Sequence, residues 1–268
     1  MEGNANLDIF VFCDRKFDIC PKNPCYKLVS MNDFETDSNL EKVICPIDSH
    51  PLMKMNHSYS EACRIKWLRD NYQLKDYVGT NHYRRYFEFF DDIPDMDVIF
   101  KEHDAILPNF NLPYRSIREH YKLVHNENDL NVVLSIIEEF YPEYYDNAEK
   151  VIDMKHFVPC NIFIMRKGNF IEMCDFVFGV LERYDEIMGF ETDLDVYNHV
   201  VNNLNKYHGD TTYQSRIQAF LSERLSFIYY ATKLKNPLYM DMVLTEVHAD
   251  FERQWFKLYD NDKESNHQ

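Results

Sequence analysis

The feature that most constrains the fold is a series of short apolar runs that alternate with segments of helical spacing. Residues 7–13 and 161–165 are almost continuously apolar, as expected for strands buried on both faces. Residues 76–80 and 104–108 form two more β-prone runs, the second of which ends at a proline. The alternation predicts an α/β fold in which an open sheet is flanked by helices on both faces.

Helical spacing dominates the second half of the chain, which predicts a helix-rich C-terminal half. The expected helices cover about 58–71, 114–124, 129–139, 142–151, 170–187 and 212–232. The first is expected to begin with a capping box formed by Ser58 and Glu61. Residues 21–57 read as loop-rich with one short strand at 42–45, and 238–247 as a closing strand. Without a Gly/Ser-rich or Pro-rich linker, we expect one domain over 1–268, with a core at about 8–247 and a tail at 248–268.

Composition excludes several classes of protein. Lys and Arg total 29 and Asp and Glu total 45, so the net charge is −16, which argues against binding nucleic acid through its phosphates. The apolar runs are far shorter than the roughly 20 residues of a membrane-spanning helix. The N-terminus does not read as a signal peptide, and seven unevenly spaced cysteines favour reduced thiols. We therefore expect a cytoplasmic protein.

The strongest local signal is the segment His82-Tyr83-Arg84-Arg85, which follows the run 76–80. Ligands of open α/β sheets bind at the C-terminal ends of strands, so the residues after 13, 80, 107 and 165 are the first candidates. The planar guanidinium of arginine matches the oxygens of a phosphate or carboxylate. The segment therefore suggests an anion site. Alternatively, the arginines pair with the acidic residues that follow them, Glu88, Asp91 and Asp92.

Common cofactor signatures are absent from the sequence. There is no GxGxxG, no GxxxxGK[ST], no GxSxG and no HExxH, which disfavours dinucleotide, P-loop, α/β-hydrolase and zinc-protease chemistry. Two DxD motifs occur, at Asp95–Asp97 and Asp193–Asp195. The first could hold a divalent cation, although it does not directly follow a strand, and the second reads as a solvated surface. We predict no metal site.

Two further segments offer polar groups beside apolar ones. Glu223 and Arg224 lie within an apolar helical stripe, and a partly buried carboxylate can act as a general base. An ordinary glutamate paired with Arg216 or a lysine is the alternative. Asn161 precedes an apolar strand and could either bind a sugar hydroxyl or cap the strand.

Taken together, these segments resemble a bacterial family of capsule, exopolysaccharide and lipopolysaccharide O-antigen synthesis proteins. The family was long classified as a domain of unknown function and includes galactofuranosyltransferases. The resemblance covers about residues 8–245. The matching segments are Tyr77-Val78-Gly79, His82 to Phe87 (HYRRYF), Asp104 to Pro108, His120-Tyr121, Tyr141 to Tyr144, Asn161 to Met165, and Ser222 to Leu225 (SERL). Asp14-Arg15 departs from the family's usual His-Lys pair, which leaves the role of that loop open.

The resemblance implies a GT-A-like (Rossmann-like) glycosyltransferase that moves a hexose, such as galactofuranose, from a UDP-sugar to a growing glycan. It implies that the donor is bound by His82, Tyr83, Arg84, Arg85 and Arg224, and that arginine replaces the metal, so no cofactor is required. For an inverting transfer, Glu223 is the first candidate for the general base, with His120 and Asp104 as further catalytic candidates, and Asn161 is a candidate for acceptor binding.

Two other functions remain open at this stage. A sugar-phosphate transferase of capsule synthesis would use the same arginines on a diphosphate donor but leave a phosphodiester product. A non-catalytic binding subunit of a polysaccharide assembly complex would turn over no donor. A lipid-linked acceptor, or association with other glycan-assembly enzymes, would place the protein at the inner face of the plasma membrane.

Overall fold

The computed structural model describes residues 6–13, 20–109 and 115–245. The Asp14-Arg15 loop and the tail expected at 248–268 lie outside the described residues.

The described residues contain one mixed sheet of nine strands. The strands are β1 (Leu7–Phe12), β2 (Tyr26–Ser30), β3 (Glu41–Ile44), β4 (Tyr77–His82), β5 (Arg85–Phe87), β6 (Ala105–Pro108), β7 (Phe163–Arg166), β8 (Leu238–Met240) and β9 (Met242–Leu244). Their order is β3-β2-β1-β4-β7-β6-β8, and β5 pairs with both β4 and β9.

Ten α-helices connect and cover these strands within the same residues. They are α1 (Asn56–Tyr59), α2 (Glu61–Asn71), α3 (Met96–Ile99), α4 (Ile117–Val124), α5 (Glu127–Phe140), α6 (Pro142–Ile152), α7 (Lys167–Met188), α8 (Asp193–Asn202), α9 (Thr211–Gln214) and α10 (Ile217–Lys233). Two short 3-10 helices, Ile47–Ser49 and Pro51–Met55, precede α1. The α/β fold and the helix-rich C-terminal half are therefore confirmed.

Strand direction decides which residues share an edge of the sheet. Strands β3, β2, β1 and β4 are parallel, whereas β7 runs antiparallel between β4 and β6, with Thr80 opposite Phe163. The start of β7 consequently lies beside the C-terminal ends of β1, β4 and β6. The expectation that the site follows residue 165 is wrong. Arg166 pairs with Tyr77, the first residue of β4, so it lies at the opposite end of the strands.

The two faces of the sheet carry different layers. Phe10, Phe12, Val78 and Phe163 alternate with their neighbours to pack against the large helical core. Ile9 and its equivalents on the other face join a smaller core that includes Phe87, Met96 and Phe100, from β5 and the segment around α3. Both faces are covered, as predicted, but the long helices occupy one of them.

Local bonding overrides some of the sequence patterns. The capping box at Ser58 is wrong, because the Ser58 hydroxyl donates to Asp193 and the helix α2 begins only at Glu61, after Ser60 with φ 51°. The helix expected at 212–232 is broken between α9 and α10, around Ser215 and Arg216. The helix α8 was not predicted, and neither was the strand β2 within the supposed loop region.

No helix among the described residues is both long enough and apolar enough to cross a membrane.

Candidate functional site

The His82–Arg85 segment forms a tight connection between β4 and β5 at the edge expected for ligand binding. His82 pairs with Arg85 across the two antiparallel strands. The ring of Tyr83 lies 4.4 Å from that of His82, and the Arg84 guanidinium lies 5.1 Å from the Tyr83 ring centre. The structure therefore places four of the five residues expected to bind the donor in this connection, and the fifth, Arg224, lies on α10.

Two further arginines, which sequence reasoning did not select for this site, reach the same place from the helices. Arg64 on α2 lies 5.5 Å from the ring centre of Phe12, the residue opposite His82 in the β1–β4 register. Arg216, the residue before α10, donates from Nη2 to the Ser60 hydroxyl at 2.7 Å. Arg64, Arg84, Arg85 and Arg216 are called the arginine cluster below. Its members come from three distant segments, so only their charge could have drawn attention to them.

Burial and the charges of the arginine cluster together keep His82 neutral. Burial lowers the pKa of His82 most strongly, and the charges of Arg85, Arg84, Arg64 and Arg216 lower it further, to about 3. His82 is therefore neutral at physiological pH and adds no positive charge of its own. Its ring can offer one donor and one acceptor to a ligand.

Three members of the cluster make no ion pair with the described residues. Within the described residues, no carboxylate oxygen lies within 4.0 Å of a guanidinium nitrogen of Arg84, Arg85 or Arg216. The alternative that the arginines pair with the following acidic run is wrong for Asp91, whose Oδ1 accepts from the backbone N–H groups of Lys22 and Asn23. In a chain of net charge −16, such a concentration of positive charge indicates an anion site.

Glu223 stands beside the cluster on α10. Its Oε1 accepts from the backbone N–H of Cys160 at 2.9 Å, and its Oε2 accepts from Arg224 Nη1 at 2.8 Å. Burial raises the pKa of Glu223 above its usual value, and the nearby carboxylate of Glu61 adds to the increase, although Arg224 opposes it. The side chain is still 18% exposed. This combination of a raised pKa and access to solvent is suited to a general base.

Arg224 is enclosed by protein groups. Only 3% of its side chain is exposed, and its guanidinium lies 5.1 Å from the Tyr121 ring centre and 4.8 Å from that of Phe157. It donates from Nη1 to Glu223 and to the Phe220 carbonyl. The arrangement orients Glu223, whereas it leaves little of Arg224 for the donor-binding role expected from the sequence.

The segment before β7 joins Glu223 to the arginine cluster. Cys160 and Asn161 have φ values of 65° and 47°, which non-glycine residues rarely adopt. The Cys160 N–H binds Glu223, while its sulfur accepts from Arg85 Nη1 at 3.4 Å. This unusual turn therefore fixes the position of the carboxylate relative to the arginines.

Asn161 is occupied by internal bonds. Its Nδ2 donates to Ser222 at 3.2 Å and to Glu61 at 3.4 Å, and its Oδ1 accepts from the Ser226 hydroxyl at 3.1 Å. Its backbone carbonyl accepts from the Thr80 hydroxyl. With 3% of its surface exposed, Asn161 links β4, α2 and α10. Of the two roles considered for it, these bonds fit the structural one.

The two other catalytic candidates are less suited to act as the base than Glu223. Asp104 precedes β6 at the opposite edge of the sheet, where its Oδ2 accepts from the backbone N–H groups of Lys235 and Asn236. That placement removes the reason for considering Asp104 as a catalytic group. His120 on α4 is buried, and burial, Arg224 and Arg115 lower its pKa to about 3. A base with so low a pKa is a weak proton acceptor, which favours Glu223.

Both DxD motifs have structural partners. Asp95 caps α3 by accepting from the N–H of Asp97, and Asp97 accepts from the Tyr77 hydroxyl at 2.6 Å. Asp193 binds Ser58, while Asp195 caps α8 through Thr192. In the part of the chain that the structure describes, no three His, Cys, Asp or Glu side chains are grouped so that they could hold a metal ion.

Comparison with known proteins identifies a matching family model and a solved structure of similar fold. A family model described as a domain of unknown function, DUF4422, matches residues 8–235. A solved structure described as the apo form of the bifunctional glycosyltransferase WbbM superposes with a TM-score of 0.69 at 17% identity. The match covers 90% of this chain but only 46% of that one, so the chain spans about half the length of that protein. No curated protein sequence matches significantly.

Proposed function

The chain belongs to the DUF4422 family, and for this member we propose a glycosyltransferase that moves a hexose from a UDP-sugar to a growing bacterial surface glycan. The fold is consistent with a GT-A-like enzyme, since it is similar to that of a bifunctional glycosyltransferase. The observation that carries the proposal is the set of three arginines without a carboxylate partner at the C-terminal edge of β4, beside a carboxylate of raised pKa.

The arginine cluster would bind the diphosphate of the donor. Arg84, Arg85 and Arg216 each present a planar set of N–H donors, and several such donors can hold both phosphates at once. The charge that develops on the departing UDP would be stabilised by the same groups. In many nucleotide-sugar enzymes this is the task of a metal ion, so we propose a metal-independent reaction.

Glu223 would act as the base of an inverting displacement. It removes the proton from an acceptor hydroxyl, and the hydroxyl oxygen attacks the anomeric carbon of the donor sugar. A new C–O bond forms while the bond from that carbon to the β-phosphate oxygen breaks, and UDP leaves with the electron pair. Arg224 and the Cys160 N–H keep the carboxylate in place during this step.

The finer assignment of substrates rests on the family resemblance. We propose galactofuranose as a donor sugar and a capsular, exopolysaccharide or O-antigen glycan, free or lipid-linked, as the acceptor. Association with a membrane surface or with other glycan-assembly enzymes belongs to the same proposal. These choices depend on a few pocket contacts and are the part that most needs measurement.

Binding of UDP, UDP-galactose and UDP-galactofuranose, measured by thermal shift with EDTA and with manganese, tests the proposal. We expect UDP to raise the melting temperature equally in both conditions, because ligand that binds only the folded state stabilises it. Arg84→Ala should strongly reduce the shift at the same UDP concentration. Arg183→Ala is the matched control, since Arg183 lies on the surface of α7 in an ion pair with Glu186.

Two outcomes would contradict the proposal. No response of the wild-type protein to any of the nucleotides would favour a non-catalytic binding subunit. A phosphodiester product with release of a nucleoside monophosphate would instead identify a sugar-phosphate transferase.

A further inference from the structure

An exposed aromatic ring packs on α10 one helical turn before Glu223 and takes no part in the reaction described above. Tyr213, on α9, keeps 37% of its surface exposed although it belongs to a cluster of aromatic rings. Its hydroxyl makes no hydrogen bond to any residue that the structure describes. An exposed ring with a free hydroxyl presents both an apolar face and a polar group to a ligand.

The Tyr213 ring packs against neighbouring aromatic rings and an arginine. Its centre lies 5.1 Å from that of Phe220, which stacks in turn on His125 at 3.9 Å. The Arg216 guanidinium lies 6.0 Å from the Tyr213 ring centre and 5.9 Å from that of Phe220. These contacts pack part of the Tyr213 side chain against the protein, while 37% of its surface stays exposed.

The backbone around Tyr213 is also fixed. Its N–H donates to Asp210 Oδ1 at 2.8 Å, which caps α9. The next residue, Gln214, donates from Nε2 to the Val124 carbonyl at 2.8 Å and pairs with His125 Nδ1 at 3.2 Å. A rigid aromatic side chain loses little conformational entropy when a ligand stacks on it.

The position of the ring relative to the base indicates which ligand it meets. Arg216, Phe220 and Glu223 are spaced by four and three residues, so they lie along one face at the start of α10. Tyr213 packs on the middle residue of this stripe, Phe220, one helical turn before Glu223. Burial raises the pKa of the Tyr213 hydroxyl, and the charge of Glu223 adds to the increase. The sugar whose hydroxyl gives its proton to Glu223 must therefore lie near Tyr213.

We infer that Tyr213 forms a subsite for the acceptor sugar, in which a sugar ring stacks on the aromatic face and a sugar hydroxyl binds the phenol. The C–H groups on one face of a hexose carry partial positive charge, which the negative face of an aromatic ring attracts. The inference rests on the proposed function, because it takes Glu223 as the base. It adds the site that selects and orients the acceptor.

Saturation-transfer NMR with methyl β-D-galactopyranoside, methyl β-D-glucopyranoside and methyl β-D-galactofuranoside, at saturating UDP, tests the subsite. For a sugar that binds, Tyr213→Ala should raise the dissociation constant about 10- to 30-fold, because it removes both the stacking contact and the phenol hydrogen bond. Tyr213→Phe should raise it about threefold through the lost hydrogen bond, and Tyr213→Trp should keep most of the affinity. Tyr197→Ala is the control, because Tyr197 on α8 is similarly exposed at 40%.

The affinity for UDP, measured on the same variants, separates this inference from the proposed function. Unchanged UDP binding in Tyr213→Ala together with weakened sugar binding supports the subsite. Equal loss of UDP binding would mean that the nucleotide base stacks on the ring, and would overturn it. Unchanged sugar affinity in Tyr213→Ala, or no binding of any of the three glycosides to the wild type, would also overturn it. If the wild type binds a glycoside through Tyr213 but no UDP, the sugar subsite stands and the proposed function fails.

Discussion

The arginine cluster and two buried carboxylates in the helical layer differ in how far protein groups compensate their charge. Asp185 accepts from the Tyr59 hydroxyl at 2.5 Å and from Gln218 Nε2 at 2.7 Å, while Asp129 accepts from the hydroxyls of Tyr184 and Tyr207 at 2.9 and 3.0 Å. Each carboxylate is thus surrounded by protein donors. Arg84 and Arg216, by contrast, have no carboxylate oxygen of the described residues within 4.0 Å.

The difference separates groups that hold the fold from groups that await a ligand. A buried polar group whose bonds are satisfied within the protein contributes to a specific packed core. Like charges held close together without ion pairs, as at Arg84, Arg85 and Arg216, raise the energy of the folded state because they repel one another. Their presence is explained if a ligand of opposite charge binds there. Substitutions in the two regions should therefore have opposite consequences for stability and for function.

The largest effect is expected at Glu223. Glu223→Gln should lower turnover about 100-fold or more, because the amide cannot accept the acceptor's proton. UDP affinity should stay close to that of the wild type. The acid limb of the pH profile, where activity falls as pH drops through the raised pKa of Glu223, should disappear in the variant. Steady-state kinetics against pH measure both.

Glu172→Gln is the matched control for that prediction. Glu172 lies on α7 and binds the Tyr229 hydroxyl and Lys233 away from the site. Near-normal turnover of a well-folded Glu223→Gln protein would remove Glu223 from the mechanism.

The arginine cluster should come next in size. Arg84→Ala, Arg85→Ala and Arg216→Ala should each weaken UDP binding roughly 10- to 100-fold, the loss of one charge-assisted hydrogen bond to phosphate. The free energy of unfolding without ligand should stay the same or increase, because like charges are separated. Calorimetric titration and urea denaturation give the two quantities. Lower stability with unchanged UDP affinity would mean that these arginines stabilise the fold and do not bind the nucleotide.

The buried carboxylates should instead affect the stability of the fold, and this effect should depend on pH. Burial raises the pKa of Asp185 and of Asp129 from 3.8 to about 6, despite the hydroxyl and amide donors around them. Between these pH values the folded state binds more protons than the unfolded state, so the contribution of each group to stability falls as pH rises from about 4 to 6. The loss is of the order of 2 to 3 kcal/mol per group and persists above pH 6.

Urea denaturation of the wild type and of Asp185→Asn at a series of pH values checks this sign. The variant should lose part of the decline in stability between pH 4 and 6 while keeping its affinity for UDP. A wild-type contribution that grows with pH over this range, or a large loss of UDP binding in Asp185→Asn, would break the distinction between the two regions.

The smallest effect is expected when divalent cations are removed from the reaction with EDTA. If the arginines do the electrostatic work, EDTA should change the transfer rate by less than about twofold, and manganese should not restore activity to Arg84→Ala. Rates measured with purified, EDTA-dialysed enzyme decide the matter. Activity that vanishes with EDTA and returns with manganese would require a metal site that the arginine cluster does not replace.

Features that depend on local sequence could be predicted, whereas features that depend on contacts between distant residues could not. The apolar runs of β1, β4, β6 and β7 could be located because strand burial leaves a local pattern. The strand β2 was missed, although its burial is nearly complete, because the surrounding residues look like loop. The capping box at Ser58 failed because a distant carboxylate, Asp193, took the hydroxyl.

The candidate site divides in the same way. The His82–Arg85 segment could be recognised because its four residues are consecutive and follow a strand. Arg64 and Arg216 could not, since each is far from that segment along the chain and approaches His82 only in the folded structure. Asp104 shows the opposite error, because a residue at the start of β6 lies at the wrong edge once strand directions are known.

Sequence by itself determined the class of fold, the negative net charge and the location of a consecutive His-Tyr-Arg-Arg segment at the end of a strand, because periodicity and composition are local properties. Only the tertiary structure decided that β7 runs antiparallel, that Cys160 and Glu223 therefore meet the arginines, and that Asn161 and Arg224 are enclosed. Those outcomes depend on strand direction and on contacts between residues far apart in the chain, which no local pattern encodes.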